Sequence, residues 1–396
     1  MAPGIKGEIN SDRALAHLMD LLQVPGLGGQ ERKVADTITR KLSAAGCRPD
    51  WIAFDDAPER IDRDMEIGNL IVQIPGTAPG PRLLFIGHMD TVPLCEGAVP
   101  ELRDNRIVSK GDTGLGADNR TAVACLVTLA ETLLSGDLPH PPITFLFAIA
   151  EEIGLLGAKA VRMDDLGNPE MGFNIDSGVP AYFITAAVSS YHWQADIRGR
   201  SSHAAVNPED GVSALLIAAK AIQTIARKGY FGRIRKMGNR GTANIGVIEG
   251  GEVVNQVSDK VQVKGECRSH NPDFLQRILK EHQNAFARAA ASVKNAGGTR
   301  GRVTFTADKD YDAFALDRRD PVVQYALRAA KRIGFKAACG AASGGLDANA
   351  LNQKGIPTIT FGAGQHAPHT VDEYVNIQEY LDGCRLAVAL AGGEVE

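Results

Sequence analysis

The sequence predicts an α/β protein, a doubly wound and mostly parallel sheet with a smaller α+β domain inserted into it. Three observations carry this. In the N-terminal part, short apolar runs alternate with helical stretches, as βα units do. In the middle the pattern changes to half-exposed alternating strands and two long helices. The βα pattern then resumes, so the outer domain is discontinuous, 1–186 with 313–396, around an insertion at 187–312. The chain is 396 residues long, and two domains are the natural expectation for that length.

Taken in order, "SDRALAHLMDLLQVP" predicts a first helix with Ser11 as N-cap and Pro25 beyond its end. "GGQERKVADTITRKLSAAG" predicts a second, with Gly46 after its last turn, where glycine adopts the left-handed conformation without steric cost. "NLIVQIPG" and "RLLFIG" read as strands, 119–136 as a buried helix, "ITFLFAIA" as a central strand and "GFNID" as a short one. In the insertion, "YHWQADIRG", "TANIGVIEGG", "DKVQVKGECRSH" and "RVTFTADKD" read as strands. "DGVSALLIAAKAIQTIARKG" and "PDFLQRILKEHQNAFARAAASVKNAGG" read as its helices. Asp320 and Pro321 open a further helix, and a last one covers 377–391.

Composition excludes several classes. Hydrophobic content of 44% supplies a core, and a net charge of −4 argues against non-specific nucleic-acid binding. The N-terminus lacks a basic segment followed by an apolar core, so no secretory signal is expected, and no run reaches the roughly 20 apolar residues of a membrane span. None of the six cysteines forms a C-x-x-C pair, which predicts reduced thiols in a cytoplasmic protein.

The chemistry-bearing residues cluster at the ends of the apolar runs. In "LLFIGHMDTVP", His88 and Asp90 are two apart on an extended segment and point the same way. That arrangement suits a metal ligand and the carboxylate that orients it, and equally a structural pair. Asp118 lies in "GLGADN", Glu151 and Glu152 close "ITFLFAIAEEIG", Asp176 closes "NIDSG", and His369 follows the run 356–361. Two histidines with several carboxylates and no paired cysteines suit zinc, manganese or cobalt. Carboxylates in this number point to two ions, since one bridging carboxylate holds both about 3.5–4 Å apart. Blander readings remain for single residues. Asp118 could cap a helix, the Glu151–Glu152 pair could be a solvated loop, and Asp176 could form a turn with Ser177 and Gly178. His366 makes an H-x-x-H with His369, and "GLGADN" lacks the Lys-Ser/Thr of a phosphate loop.

In order along the chain, "GHMDTVP", "GADN", "AEEIGLLGAKA", "NIDSG", "GRSSHAA", "GECRSH", "SGGLDANAL" and "PHTVDE" resemble the di-zinc metallopeptidases that include peptidase T, glutamate carboxypeptidases, succinyl-diaminopimelate desuccinylase and aminoacylases. "GECRSH" and "GGLDAN" are most similar to the peptidase T-like branch. The resemblance implies that His88 and Asp176 hold one zinc, that Glu152 and His369 hold the other, and that Asp118 bridges them. It implies that Asp90 orients His88, that Glu151 is the general base activating a metal-bridging water, and that the Asp118–Asn119 peptide is cis. The inserted domain becomes a lid that also dimerises. Its His203 would stabilise the oxyanion in the partner subunit's site, and Arg268, with Asn255 beside it, would bind a substrate carboxylate. His203 could instead be a surface-loop residue, and Arg268 could pair with a structural acid.

The implied activity is hydrolysis of short peptides by an aminopeptidase of the tripeptidase type. Alternatives are a carboxypeptidase or N-acyl-amino-acid deacylase on the same scaffold, or a non-catalytic metal-binding scaffold. Two positions depart from the pattern. Asn119 stands where many peptidase T-like members carry a second aspartate, and Leu346 stands where peptidase T has a small polar residue.

Overall fold

Four strands set the frame of the larger unit in this computed structural model, which describes residues 8–136 and 138–392. The first residues of the segment read as lacking a signal, and both extremes of the outer domain, lie outside the described residues. Ile143–Ala148, Leu83–His88, Met171–Ile175 and Thr358–Phe361 lie side by side in that order and run parallel. The first two are buried at every position, as continuous apolar strands covered on both faces must be. The flanks are antiparallel: Leu70–Ile74 pairs with Ile143–Ala148, Ile52–Phe54 lies beyond it, and Tyr182–Ala187 pairs with Thr358–Phe361. The sheet is therefore parallel at its centre and mixed overall. The reason lies in the linker 75–82, which is too short for the crossover that parallel neighbours need. Leu70–Ile74 instead joins the far side of Ile143–Ala148.

Helix Ala117–Leu134 lies against Leu83–His88. Gly87 permits the approach, because a Cβ there would meet the Ala122 Cβ at 2.6 Å. Asp118 and Asn119 have non-helical backbone angles, so regular helix begins at Arg120. Helices Ser11–Leu22 and Ile377–Ala391 pack on the same helix. Ser11 proves to be the first helical residue rather than the cap. The extended residue before it, Asn10, accepts the Arg13 N–H at 3.0 Å. Gly46 has φ +95°, as its expected place after Arg32–Ala44 requires. Phe85 lies 5.3 Å from Phe173 and 6.1 Å from Phe145 between ring centroids. Each such buried phenylalanine contributes roughly 1.5–3 kcal/mol. This packing holds the strand ends in register, so the segments after His88, Ala148, Ile175 and Phe361 emerge at the carboxyl edge, where open α/β sheets bind ligands.

The smaller unit, Ala187–Phe314 with Ser343–Gly345, is an antiparallel sheet covered by two helices. The larger unit runs to Ala186 and resumes over Ala315–Ala342 and from Leu346. The small sheet has the order Gly232–Lys236, Asn239–Gly250, Lys260–Ser269, Ser189–Arg198, Arg302–Tyr311. Ala214–Arg227 and Pro272–Ser292 pack together over one face. Trp193, stacked 5.3 Å from Phe305, centres the core. It lies across Gly265, where a Cβ would come within 2.3 Å of the indole.

All six cysteines are free thiols. Among the described residues no helix is long and apolar enough to cross a membrane.

Candidate metal centre

Seven of the sequence-predicted residues converge at the carboxyl edge of the larger unit's sheet. His88 is the last residue of its strand and is almost fully buried. Its Nε2 lies 3.2 Å from Asp118 Oδ1 and 3.8 Å from Glu151 Oε2. On the other side of the carboxylate, Asp118 Oδ2 lies 3.6 Å from His369 Nε2, which is 2.9 Å from Glu152 Oε1. The two oxygens of Asp118 thus face two different histidines. Asp176 completes a cluster with His88 and Asp118 in which one ligand atom from each lies within 4.8 Å of the others; Asp118, Glu152 and His369 form a second, and His88, Glu151 and Glu152 a third.

The backbone around these residues is held by buried carboxylates. Asp90, fully buried, accepts the N–H of Glu151 at 3.0 Å and of Glu152 at 3.1 Å, one on each oxygen. Its Oδ1 is also 3.3 Å from His88 Nδ1, and its backbone carbonyl is 3.1 Å from the same nitrogen. Glu31, which the sequence reading missed, continues the pattern by accepting Ala150 N–H at 2.8 Å and Gly29 N–H at 2.9 Å. Three consecutive amides, at 150, 151 and 152, are therefore gripped by two acids. Burial, and then the Asp90 charge, push Glu31 up to about 7. Arg120 lies buried behind them, its guanidinium donating to the carbonyls of Met89 and Val24. Glu31 carries no sequence signal: an acid just before a helix reads as a solvent-facing first-turn charge.

Asn119, the departure from the peptidase T-like pattern, donates its side-chain amide to the Ile175 carbonyl at 2.8 Å, which a carboxylate could not do. The Asp118–Asn119 peptide is cis. Gln365, also missed, donates to Asp176 Oδ1 at 3.2 Å and accepts from Thr121 at 3.1 Å. His366 is engaged with Glu379 and stacks on Tyr374, so its nitrogen is committed elsewhere.

The electrostatics of the cluster are set by buried carboxylates crowding one another. Burial, reinforced by neighbouring carboxylates, pushes Glu151 and Asp176 well above the usual carboxylate range and raises Glu152. Asp347, buried with neither carboxylate oxygen hydrogen-bonded, is pushed up to about 7 by burial. Burial opposes protonation of His88, but the surrounding carboxylates outweigh it and raise the imidazole. The Glu152 carboxylate lifts His369 to about 9. Asp118 Oδ1 is buried and makes no hydrogen bond. A divalent cation would offset this crowding of carboxylates, and the imidazole and carboxylate donors fit one. With His369 lifted to about 9, its ring is protonated at neutral pH, so metal uptake there is expected to release a proton and to tighten as pH rises toward 9. Calorimetry of zinc binding in buffers of different ionisation enthalpy checks this; heats independent of buffer would show that no proton leaves.

The other predicted residues lie in the smaller unit. His203 and Asn255 are on neighbouring segments, joined by the Ala204 N–H donating to the Asn255 carbonyl at 2.9 Å. His203 Nδ1 accepts the N–H groups of Ala205 and Val206, each at 3.2 Å, so the neutral ring carries its proton on Nε2. Arg268 has an acid partner: its Nε and Nη2 donate to Glu266 at 3.0 and 2.6 Å from the same face of the strand.

Comparison with known proteins bears on this arrangement. The model of peptidase family M20/M25/M40 matches residues 84–392. An aminopeptidase PepT from Bacillus cereus is 34% identical, with TM-score 0.83, over 97% of this chain and 98% of that one. A tripeptidase from Staphylococcus aureus is 28% identical, with TM-score 0.87, over 97% and 98%. The uncharacterized protein YqjE of Bacillus subtilis is 32% identical over 96% of this chain and 98% of its own. With the family match spanning most of the sequence and the fold shared end to end, the chain belongs to peptidase family M20/M25/M40 and is a metal-dependent hydrolase.

Proposed function

We propose that this protein is a dinuclear, zinc-dependent aminopeptidase that cleaves short peptides, of the tripeptidase type. The observation that carries the reading is Asp118, whose two oxygens face His88 and His369 separately, as a carboxylate shared by two cations would. His88 and Asp176 would hold one ion, Glu152 and His369 the other, with manganese or cobalt as substitutes. The ions, when bound, supply positive charge that polarises the scissile carbonyl and acidifies water. Glu151 takes the proton from the attacking water and passes it to the departing amine, and Asp90 fixes its backbone during both transfers. Similarity along nearly the whole chain to a tripeptidase and to an aminopeptidase supports the substrate class.

A panel of free di- and tripeptides with N-blocked and C-blocked analogues tests the reading. Turnover is expected for peptides with a free amino terminus, with C-amidated analogues accepted. Preference for N-acyl substrates would replace it with the deacylase reading, and loss of activity on amidation alone with the carboxypeptidase reading. Absence of hydrolysis with zinc, manganese or cobalt would favour a non-catalytic scaffold.

A homodimer through the smaller unit is part of the same proposal. Within that unit, Gly232–Lys236 pairs with Asn239–Gly250 only as far as Ala243, leaving the outer edge of 244–250 without a strand partner among the described residues. Ile248 on that edge, Val253 and Val254 just after it in sequence, and Leu215 and Leu216 on helix Ala214–Arg227 are exposed. Exposed strand edges with apolar side chains invite pairing with another chain. Ile248→Lys is expected to shift sedimentation from dimer to monomer, and an unchanged dimer would exclude this edge. His203, with its proton on Nε2, is suited to donate to a developing oxyanion.

A further inference from the structure

We propose that Glu373 is a positioning residue for the metal centre, its carboxylate tying the loop that presents Asp118 to the segment that presents His369. The inference rests on the reading of Asp118 as a ligand. Glu373 is 2% exposed. Its Oε2 accepts the backbone N–H groups of Leu115 at 2.8 Å and Gly116 at 2.7 Å, and its Oε1 accepts that of Asp118 at 2.9 Å. The Cys95 thiol donates to Oε2 at 3.5 Å. One side chain therefore touches the stretch that follows His88 and Asp90, the loop that ends in Asp118, and lies four residues after His369.

The loop explains why such an anchor is needed. It reads "KGDTGLGAD", with glycines at 111, 114 and 116, two of them at positive φ. Glycine gives a backbone little conformational preference of its own, so the loop's shape must come from what it binds. Gly114 lies over the carboxylate so closely that a Cβ would meet Cys95 Sγ at 2.8 Å and Glu373 Oε2 at 3.2 Å. A carboxylate accepting several N–H groups makes short, charge-assisted bonds that fix geometry. The last of those groups belongs to Asp118 itself, whose two oxygens must face two histidines at once. Glu373 belongs to none of the ligand clusters found among the described residues, so its effect on metal would be indirect. Groups that orient a ligand without touching the metal characteristically change affinity by roughly 10–100-fold.

The test compares Glu373→Gln, Glu373→Asp and Asp118→Asn in the full-length protein. Zinc affinity is read by competition with a chromogenic chelator, metal-free stability by thermal melting, and backbone order by hydrogen exchange resolved to single residues. Glu373→Gln presents an N–H₂ group to backbone donors and is expected to weaken zinc roughly 10–100-fold, to speed exchange at Leu115, Gly116 and Asp118, and to lower the metal-free melting temperature by only a few degrees, the protein remaining folded. Glu373→Asp keeps the charge on a shorter arm and should lose less. If Asp118→Asn loses zinc while Glu373→Gln binds it like wild type, this inference is wrong and the ligand reading stands. If Asp118→Asn itself keeps wild-type affinity, the ligand reading has failed first. Should the Glu373 variants not fold, the wild-type protein still decides. Slow exchange at the three amides is expected, and exchange at the rate of an open loop would overturn the proposal.

Discussion

Replacing Glu151 by Gln is expected to lower kcat by roughly 10²–10⁴-fold, the usual contribution of a positioned base, with metal content near that of the wild type. The amide keeps the size of the side chain and removes its ability to take a proton. The same change at the next residue should act differently. Glu152 Oε1 lies 2.9 Å from His369 Nε2 in one of the ligand clusters, so Glu152→Gln should release metal, and part of its lost activity should return when the metal concentration is raised. Steady-state kinetics with elemental analysis of both variants gives the answer. Near-normal kcat in Glu151→Gln would remove that residue from the role of base, and metal loss in Glu151→Gln but not in Glu152→Gln would exchange the two roles.

Asp90→Asn is expected to be nearly as damaging, for a reason visible only in the structure. A carboxylate there accepts two consecutive N–H groups and faces His88 Nδ1. An amide has one accepting oxygen, so its N–H₂ must face a backbone donor, leaving a buried group unsatisfied at about 1–3 kcal/mol. The proposed base and two of the proposed ligand positions lose their common support. The expected result is a fall of roughly 10–100-fold in metal affinity together with a fall in kcat that saturating metal does not restore. Recovery of full kcat at high metal would limit Asp90 to orienting His88.

Much of this centre was legible because its chemistry lies at the ends of apolar runs. His88, Asp176 and the Glu151–Glu152 pair each follow a strand-like stretch, so the pattern that gives the parallel sheet also places them on one edge. His369 was legible only through the ordered motifs, since the run before it stops eight residues earlier, at Phe361. Glu31, Gln365 and Glu373 were not singled out. Their partners are backbone N–H groups, or a side chain, distant in sequence: Glu31 to Ala150, Gln365 to Asp176, Glu373 to Leu115. A hydrogen bond to backbone imposes no residue type on its partner, so spacing and composition hold no trace of it. The antiparallel flank was missed because a short linker forbids a parallel pair without naming the strand that replaces it. Arg268 shows the reverse limit: "GECRSH" contains both members of its ion pair, and adjacency in the motif did not reveal that they bind each other.

The order in which the candidate ligands leave the ribosome follows from the split of the larger unit around Ala187–Phe314. His88, Asp118, Glu152 and Asp176 are made first, and His369 trails Asp176 by roughly 190 residues, which is about 10–40 s of synthesis at 5–20 residues per second. During that interval the smaller unit, nearly continuous in sequence, can complete its own core while the acidic half of the centre waits without its second histidine and without the strand Thr358–Phe361. A nascent chain of this design holds no finished hydrolytic centre. Loss of the segment from Leu346 onward would leave a set of buried carboxylates with no means of closing around metal, so truncated products are expected to be inert as peptidases and prone to aggregate.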